Sequence, residues 1–96
     1  MYLKYNNSKN LIKQGGDSME VKKFYRTQRE VASVVNELID QYWADNITDE
    51  ELEDNIMIIF KNNQDKIIKN NEYTTIIRQQ CGKNRLAIVS KITKNR

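Results

Sequence analysis

Any chemistry in this chain has to come from a few side chains: a lone cysteine, a tight group of carboxylates, scattered tyrosines and a run of bases near the C-terminus. Cys81 stands beside Gly82 and one turn from Arg78, a setting in which a cation can lower a thiol pKa. The same position falls on an apolar stripe, where a lone cysteine packs as a small hydrophobe, and that is the expectation here. Glu50, Glu51, Glu53 and Asp54 offer oxygen ligands but lack the glycine-bearing loop of a calcium site, so they read as a solvated helix face. Histidine is absent, which removes the commonest general base and the commonest metal ligand together. There is no glycine-rich phosphate loop and no Cys/His cluster of zinc spacing. No catalytic residue, no metal ligand and no cofactor is therefore expected, and the chain does not read as an enzyme.

The bases are more informative. From Tyr73 to Arg96 there are six bases and no acid, whereas Asp45 to Phe60 holds six acids and no base. Arg78, Lys83, Asn84, Arg85, Lys91 and Lys94 are the candidate contacts to a nucleic-acid backbone. The bland alternative is that acidic and basic helices attract each other or keep the protein dissolved. Residues 73–92 have the length of a helix-turn-helix, with Gly82 at the turn and a basic second helix. Against that motif, Arg78 stands four before the glycine where a small residue is usual, and Lys83 follows it where an apolar one is usual. Tyr25, Tyr42 and Tyr73 are capable of stacking on bases, yet each sits where core packing would also place it. Trp43 reads as a helix-packing anchor at the core edge.

These residues need elements to hold them, and composition favours helices. The chain has 96 residues, no proline and 3 glycines, with 39% hydrophobic and 30% charged residues. That is one domain, expected to be all-α: a compact bundle of about four short helices ending in a C-terminal helical hairpin. Val21 to Tyr25 reads as an extended arm or a ragged helix start. Thr27 to Glu30 spells a capping box, and Val31, Val34, Val35, Leu38, Ile39 and Tyr42 then follow at helical spacing. This helix should stop near Asp45-Asn46. A second capping box, Thr48 to Glu51, opens a helix that buries Leu52, Ile56, Ile59 and Phe60, with acids suited to the positive end of its dipole. The run Ile56 to Phe60 is apolar nearly all round, so this helix is expected to be enclosed or to meet a second chain. A short turn carrying Ile67 and Ile68 follows, and Asn70-Asn71 offers the next N-cap. A third helix takes Tyr73, Ile76, Ile77 and Cys81, with Gly82 as its left-handed C-cap. A fourth uses Leu86, Val89 and Ile92.

Residues 1–18 show no sustained apolar face. Gln14-Gly15-Gly16 reads back into the purine-rich core of a bacterial ribosome-binding site, with Asp17 and Ser18 as spacer. Met19 is thus expected to be the natural start and 1–18 a translated leader; the other reading is a flexible arm. Without those residues the net charge of +3 falls to +1, since they carry three lysines and one aspartate. One cysteine excludes an internal disulfide and fits a reducing compartment, so the expected location is the cytoplasm. No apolar run approaches the roughly 20 residues of a membrane helix.

The segment from Tyr73-Thr74-Thr75-Ile76-Ile77-Arg78 through Gln79-Gln80-Cys81-Gly82-Lys83-Asn84-Arg85-Leu86 resembles the C-terminal signature of a family of short uncharacterised proteins from Firmicute bacteria and their mobile elements. Phe24-Tyr25 through Tyr42-Trp43 is similar to that family's first helix. The resemblance spans Met19 to about Ile92 and implies a genomic context but no activity. The expected function is a small protein-interaction or regulatory module that meets a protein partner, or itself, through the apolar second helix. The alternative is a nucleic-acid-binding accessory protein acting through 73–96. No membrane partner is expected.

Overall fold

The structure, a computed structural model, describes residues 11–12 and 20–94, and most of the expected leader lies outside them. The chain runs through β1 (Leu11–Ile12), β2 (Glu20–Val21), α1 (Gln28–Trp43), α2 (Asp49–Asn62), α3 (Gln64–Ile67), β3 (Ile68–Lys69), β4 (Glu72–Tyr73) and α4 (Thr75–Lys94). It is mostly helical, as composition requires, with two minimal antiparallel ladders, β1 with β2 and β3 with β4. The first ladder pairs Leu11 with Val21 and Ile12 with Glu20.

Both expected helix starts are present. Thr27 accepts a hydrogen bond from the Glu30 amide at 3.0 Å, but the Glu30 carboxylate reaches one residue further back and accepts from the Arg26 amide at 2.9 Å. At α2 the box closes reciprocally, Glu51 accepting from the Thr48 amide at 2.9 Å and Thr48 from the Glu51 amide at 3.1 Å. The end of α1 is a Schellman motif. Asn46 N–H donates to Gln41 O at 2.8 Å and Asp45 N–H to Tyr42 O at 3.0 Å, with Asp45 left-handed at φ 63°. Glycine usually takes this place; aspartate tolerates it through its short polar side chain.

The core forms where the apolar stripes of α1, α2 and α4 meet. Val31, Val34, Leu38, Ile39, Ile56 and Ile59 are all but fully enclosed, with Leu52, Ile77, Cys81, Leu86 and Val89 completing the layer. The space left inside is about 10 Å³, lined by apolar side chains. From the apolar run, Ile56 and Ile59 enter this core, whereas Met57, Ile58 and Phe60 stay part-exposed.

The region after α2 departs from expectation. Asn70 and Asn71 do not cap a helix; they have φ 55° and 66° and form the two-residue loop of the β3–β4 hairpin, in which Ile68 pairs with Tyr73. Two consecutive positive φ values are the demand of a type I′ turn, whose twist matches the flanking strands, and asparagine meets it at low cost. Tyr73 is therefore a strand residue, and α4 begins after Thr74, whose hydroxyl donates to Lys66 O at 3.1 Å.

Asn63 holds the N-terminal arm down. Its side chain is 1% exposed. Its Nδ2 donates to Lys23 O at 2.7 Å and to Ile59 O at 2.9 Å, while its Oδ1 accepts from the Tyr25 amide at 3.2 Å. One amide group thus mimics a neighbouring strand for residues 23–25 and caps α2, which settles Val21 to Tyr25 as an extended arm. Asn63→Asp keeps the acceptor, loses both donated bonds and buries a charge; Asn63→Leu loses all three bonds. Each should cost about 2–4 kcal/mol and lower the melting temperature by more than roughly 10 °C. A melt within a few degrees of the parent would show that packing alone holds the arm.

Candidate functional site

The bases that stood out in the sequence are positioned by a break in α4. Gly82 has φ 83° and ψ 169°. The positive φ matches expectation, but ψ is extended rather than left-handed helical, a region open in practice only to glycine. The chain steps sideways at this residue and resumes helix from 83. In an unbroken helix Leu86, five residues beyond Cys81, would point well off the stripe that carries Ile77 and Cys81. The break returns it to the core, where Cys81 is 3% and Leu86 is 8% exposed.

A break strands carbonyl groups, and α1 supplies what they need. Asn36 Nδ2 donates to Gln80 O at 2.8 Å, and Arg85 Nη1 donates back to Cys81 O at 3.3 Å. Asp40 fixes that arginine, its Oδ1 accepting from Nη2 at 2.8 Å and from Nε at 3.1 Å. The guanidinium also lies over the Trp43 ring, 5.6 Å from its centroid. Cys81 Sγ points at Ala32 O, 3.9 Å away. Ala32, Asn36, Asp40 and Trp43 recur every three or four residues, so a single stripe of α1 grips both sides of Gly82. On the far side Tyr73 Oη and Ser90 Oγ share a hydrogen bond at 2.6 Å, tying the hairpin to the second half of α4.

The six sequence candidates consequently divide. Arg85 is turned inward and committed to Asp40, Cys81 and Trp43. Lys83, Asn84, Lys91 and Lys94 are exposed and recur along the outer face of residues 83–94. No ion pair holds those lysines among the described residues. Arg78, on the first half of α4, makes a loose 3.7 Å pair with exposed Glu72. Asn36, Asp40 and Trp43 escaped sequence reading as a set. Their common spacing is a signal, but only the position of α4 shows what they hold.

Among the described residues two grooves flank 83–94. One, about 530 Å³, has a floor of Tyr73, Leu86 and Ala87, with Gly82 and Ser90, and a rim of Arg78 and Lys83. The other, about 410 Å³, lies against α2, where Leu52, Met57, Ile88 and Ile92 meet Asp49, Glu53 and Asp54, with Lys91 opposite. The hydroxyl of Tyr42, which also lines it, has its pKa raised by a hydrogen bond to Asp49.

Cys81 is not activated. Burial pushes its thiol up to about 11, and Arg85 offsets only part of that. Tyr25 is likewise pushed up to about 12, by burial and then by Glu30 and Glu37, and its enclosed hydroxyl has no hydrogen-bond partner among the described residues. Among the described residues no group of acids, cysteines or histidines is arranged to hold a metal ion, and no helix is long and apolar enough to cross a membrane.

Fold and surface together define a small helical protein whose described residues enclose one core and border two grooves, one mainly apolar between basic residues and one of mixed character. Residues 22–94 match a family described as conserved hypothetical proteins, and the chain belongs to that family. No curated protein and no solved structure matches it.

Two outcomes follow from the break and its buried thiol. A Cβ at Gly82 would meet nothing within 4 Å, so Gly82→Ala should suffer only the backbone penalty, about 1–3 kcal/mol, measured by denaturant unfolding. Stability equal to the parent would mean that the break relaxes without loss. Separately, the folded chain keeps the Cys81 and Tyr25 protons to about 11 and 12, while the unfolded chain releases them near 9.0 and 10.0. The unfolded state then binds fewer protons, so stability falls as pH rises from about 9. Unfolding midpoints across that range should drop for the parent and less for Cys81→Ala with Tyr25→Phe. Parallel profiles would contradict this assignment.

Proposed function

We propose that the chain is a small non-enzymatic protein-interaction or regulatory module, encoded by a mobile element of Firmicute bacteria and acting in the cytoplasm. Its partner, a second copy or another protein, meets the outer side of α2. The observation that carries this reading is the sorting of exposed charge around a filled core. Glu50, Glu53 and Asp54 line the outer side of α2 beside part-exposed Met57 and Ile58. Since Ile56 and Ile59 are consumed by the core, that contact is mixed rather than purely apolar, as suits a surface that also exists uncovered.

One observation favours a second reading. The exposed lysines Lys83, Lys91 and Lys94, with Asn84, lie along one face with no ion pair to those lysines among the described residues, the pattern of a backbone contact to nucleic acid. The near-neutral balance of residues 19–96 weighs against it, because such binding draws on excess positive charge. Light scattering across the micromolar range should show mass rising with concentration, and duplex or single-stranded DNA and RNA should bind weakly even at low salt. Steeply salt-dependent binding that Lys83→Ala with Lys91→Ala weakens equally on every sequence, flattening the salt slope by about two, would transfer the conclusion to nucleic acid.

A further inference from the structure

The basic-rimmed groove and the acidic stripe of α2 are complementary in charge. Around Gly82 the floor is apolar, from Tyr73, Leu86 and Ala87, and the rim is cationic, from Arg78 and Lys83. Lys83 has no ion-pair partner among the described residues, and Arg78 holds Glu72 only at 3.7 Å, with both side chains more than half exposed. Glycine contributes no side chain at the centre, and the space its Cβ would occupy is open to 4 Å. The acidic stripe of α2 that borders the other groove is the inverse: Glu50, Glu53 and Asp54 exposed, followed one turn on by part-exposed Met57, with Lys91 opposite. A helix laying such a stripe into a groove is a common recognition mode, with apolar anchors on the floor and charges on the rim.

We propose that the groove at Gly82 docks the acidic stripe of α2 from a second copy of this chain. Met57 sits over Leu86 and Ala87, and Glu53 and Asp54 meet Lys83 and Arg78. The inference rests on the reading of α2 as an interaction surface and names what it meets. Because the two surfaces differ, the contact is head-to-tail, and copies add in rows or close into rings rather than stopping at a symmetric dimer. Asp40 already occupies Arg85, so the cations that face the groove are the ones left for a neighbour. Charges at the rim set the salt dependence, since exposed pairs are screened within about 8–10 Å at physiological salt.

Sedimentation velocity on the whole chain tests this, using two charge-reversed variants, Arg78→Glu with Lys83→Glu and Glu53→Lys with Asp54→Lys. Circular dichroism confirms that each is folded. The parent should associate at low salt, and raising salt should weaken association on the order of tenfold. Each variant alone should be monomeric, and their mixture should associate, because it restores an acidic stripe against a basic groove. Ala87→Arg, which fills the groove floor at an exposed helical position, should also give a monomer. Variants that assemble like the parent would overturn the docking while leaving α2 an interaction surface of another kind. A parent that stays monomeric at every concentration and salt would also overturn the docking, and would leave another protein as the partner of α2.

Discussion

The structure depends on how α1 closes around a discontinuity in α4. A glycine held at φ 83° and ψ 169° leaves the preceding helical turn with carbonyls that its own backbone does not satisfy. Asn36 takes Gln80 O, Arg85 takes Cys81 O, and Asp40 with Trp43 fixes Arg85. Each contact alone is modest: a neutral hydrogen bond adds about 1 kcal/mol and a part-exposed ion pair less. Their worth lies in acting on one joint, because the direction of residues 83–94 follows from it. With the joint set, Leu86 and Val89 reach the core and the lysines of the same helix face outward.

That geometry accounts for the surface. A straight continuation would divide the residues between core and solvent differently, since three- and four-residue spacing would not bring both Cys81 and Leu86 inside. The break lets one segment serve as lid for the core and as wall for two grooves, one basic-rimmed and one acidic-rimmed. Between α2 and α4 the charge is separated by sign, acids over 45–60 and bases over 73–96. Such a surface favours oriented encounters, and it gives the proposed module its polarity.

Where information is local, the sequence was a good guide. Thr27 and Thr48 cap their helices, and helical periodicity marks out most of the buried stripes of α1 and α2, although Tyr42 and Phe60 stay part-exposed while Ala32 and Asn55 are buried. Asn70-Asn71 shows the limit of local reasoning, since asparagine suits an N-cap and a type I′ turn equally. The choice was made by Ile68 and Tyr73, which pack on the core as paired strand residues. Nothing local marks Asn63 within the polar run 61–64, because its partners lie about forty residues away. Arg85 carried the same ambiguity. Its charge belongs to a basic run, and only the presence of Asp40 across the interface, 2.8 Å away, turns it into a structural clasp. Long-range partners of polar groups leave no trace in periodicity, and the candidate surface was thus located in sequence but not sorted.

The central claim is that α4 is two helices joined at Gly82 and clasped by α1. Backbone resonance assignment of the whole chain tests it most directly. The account predicts helical chemical shifts over 75–81 and 83–94 interrupted at Gly82, with nuclear Overhauser contacts from the Asn36 side-chain amide to residues 80–81. Uninterrupted helical shifts through Gly82, with sequential contacts running continuously across it and none to Asn36, would contradict the account.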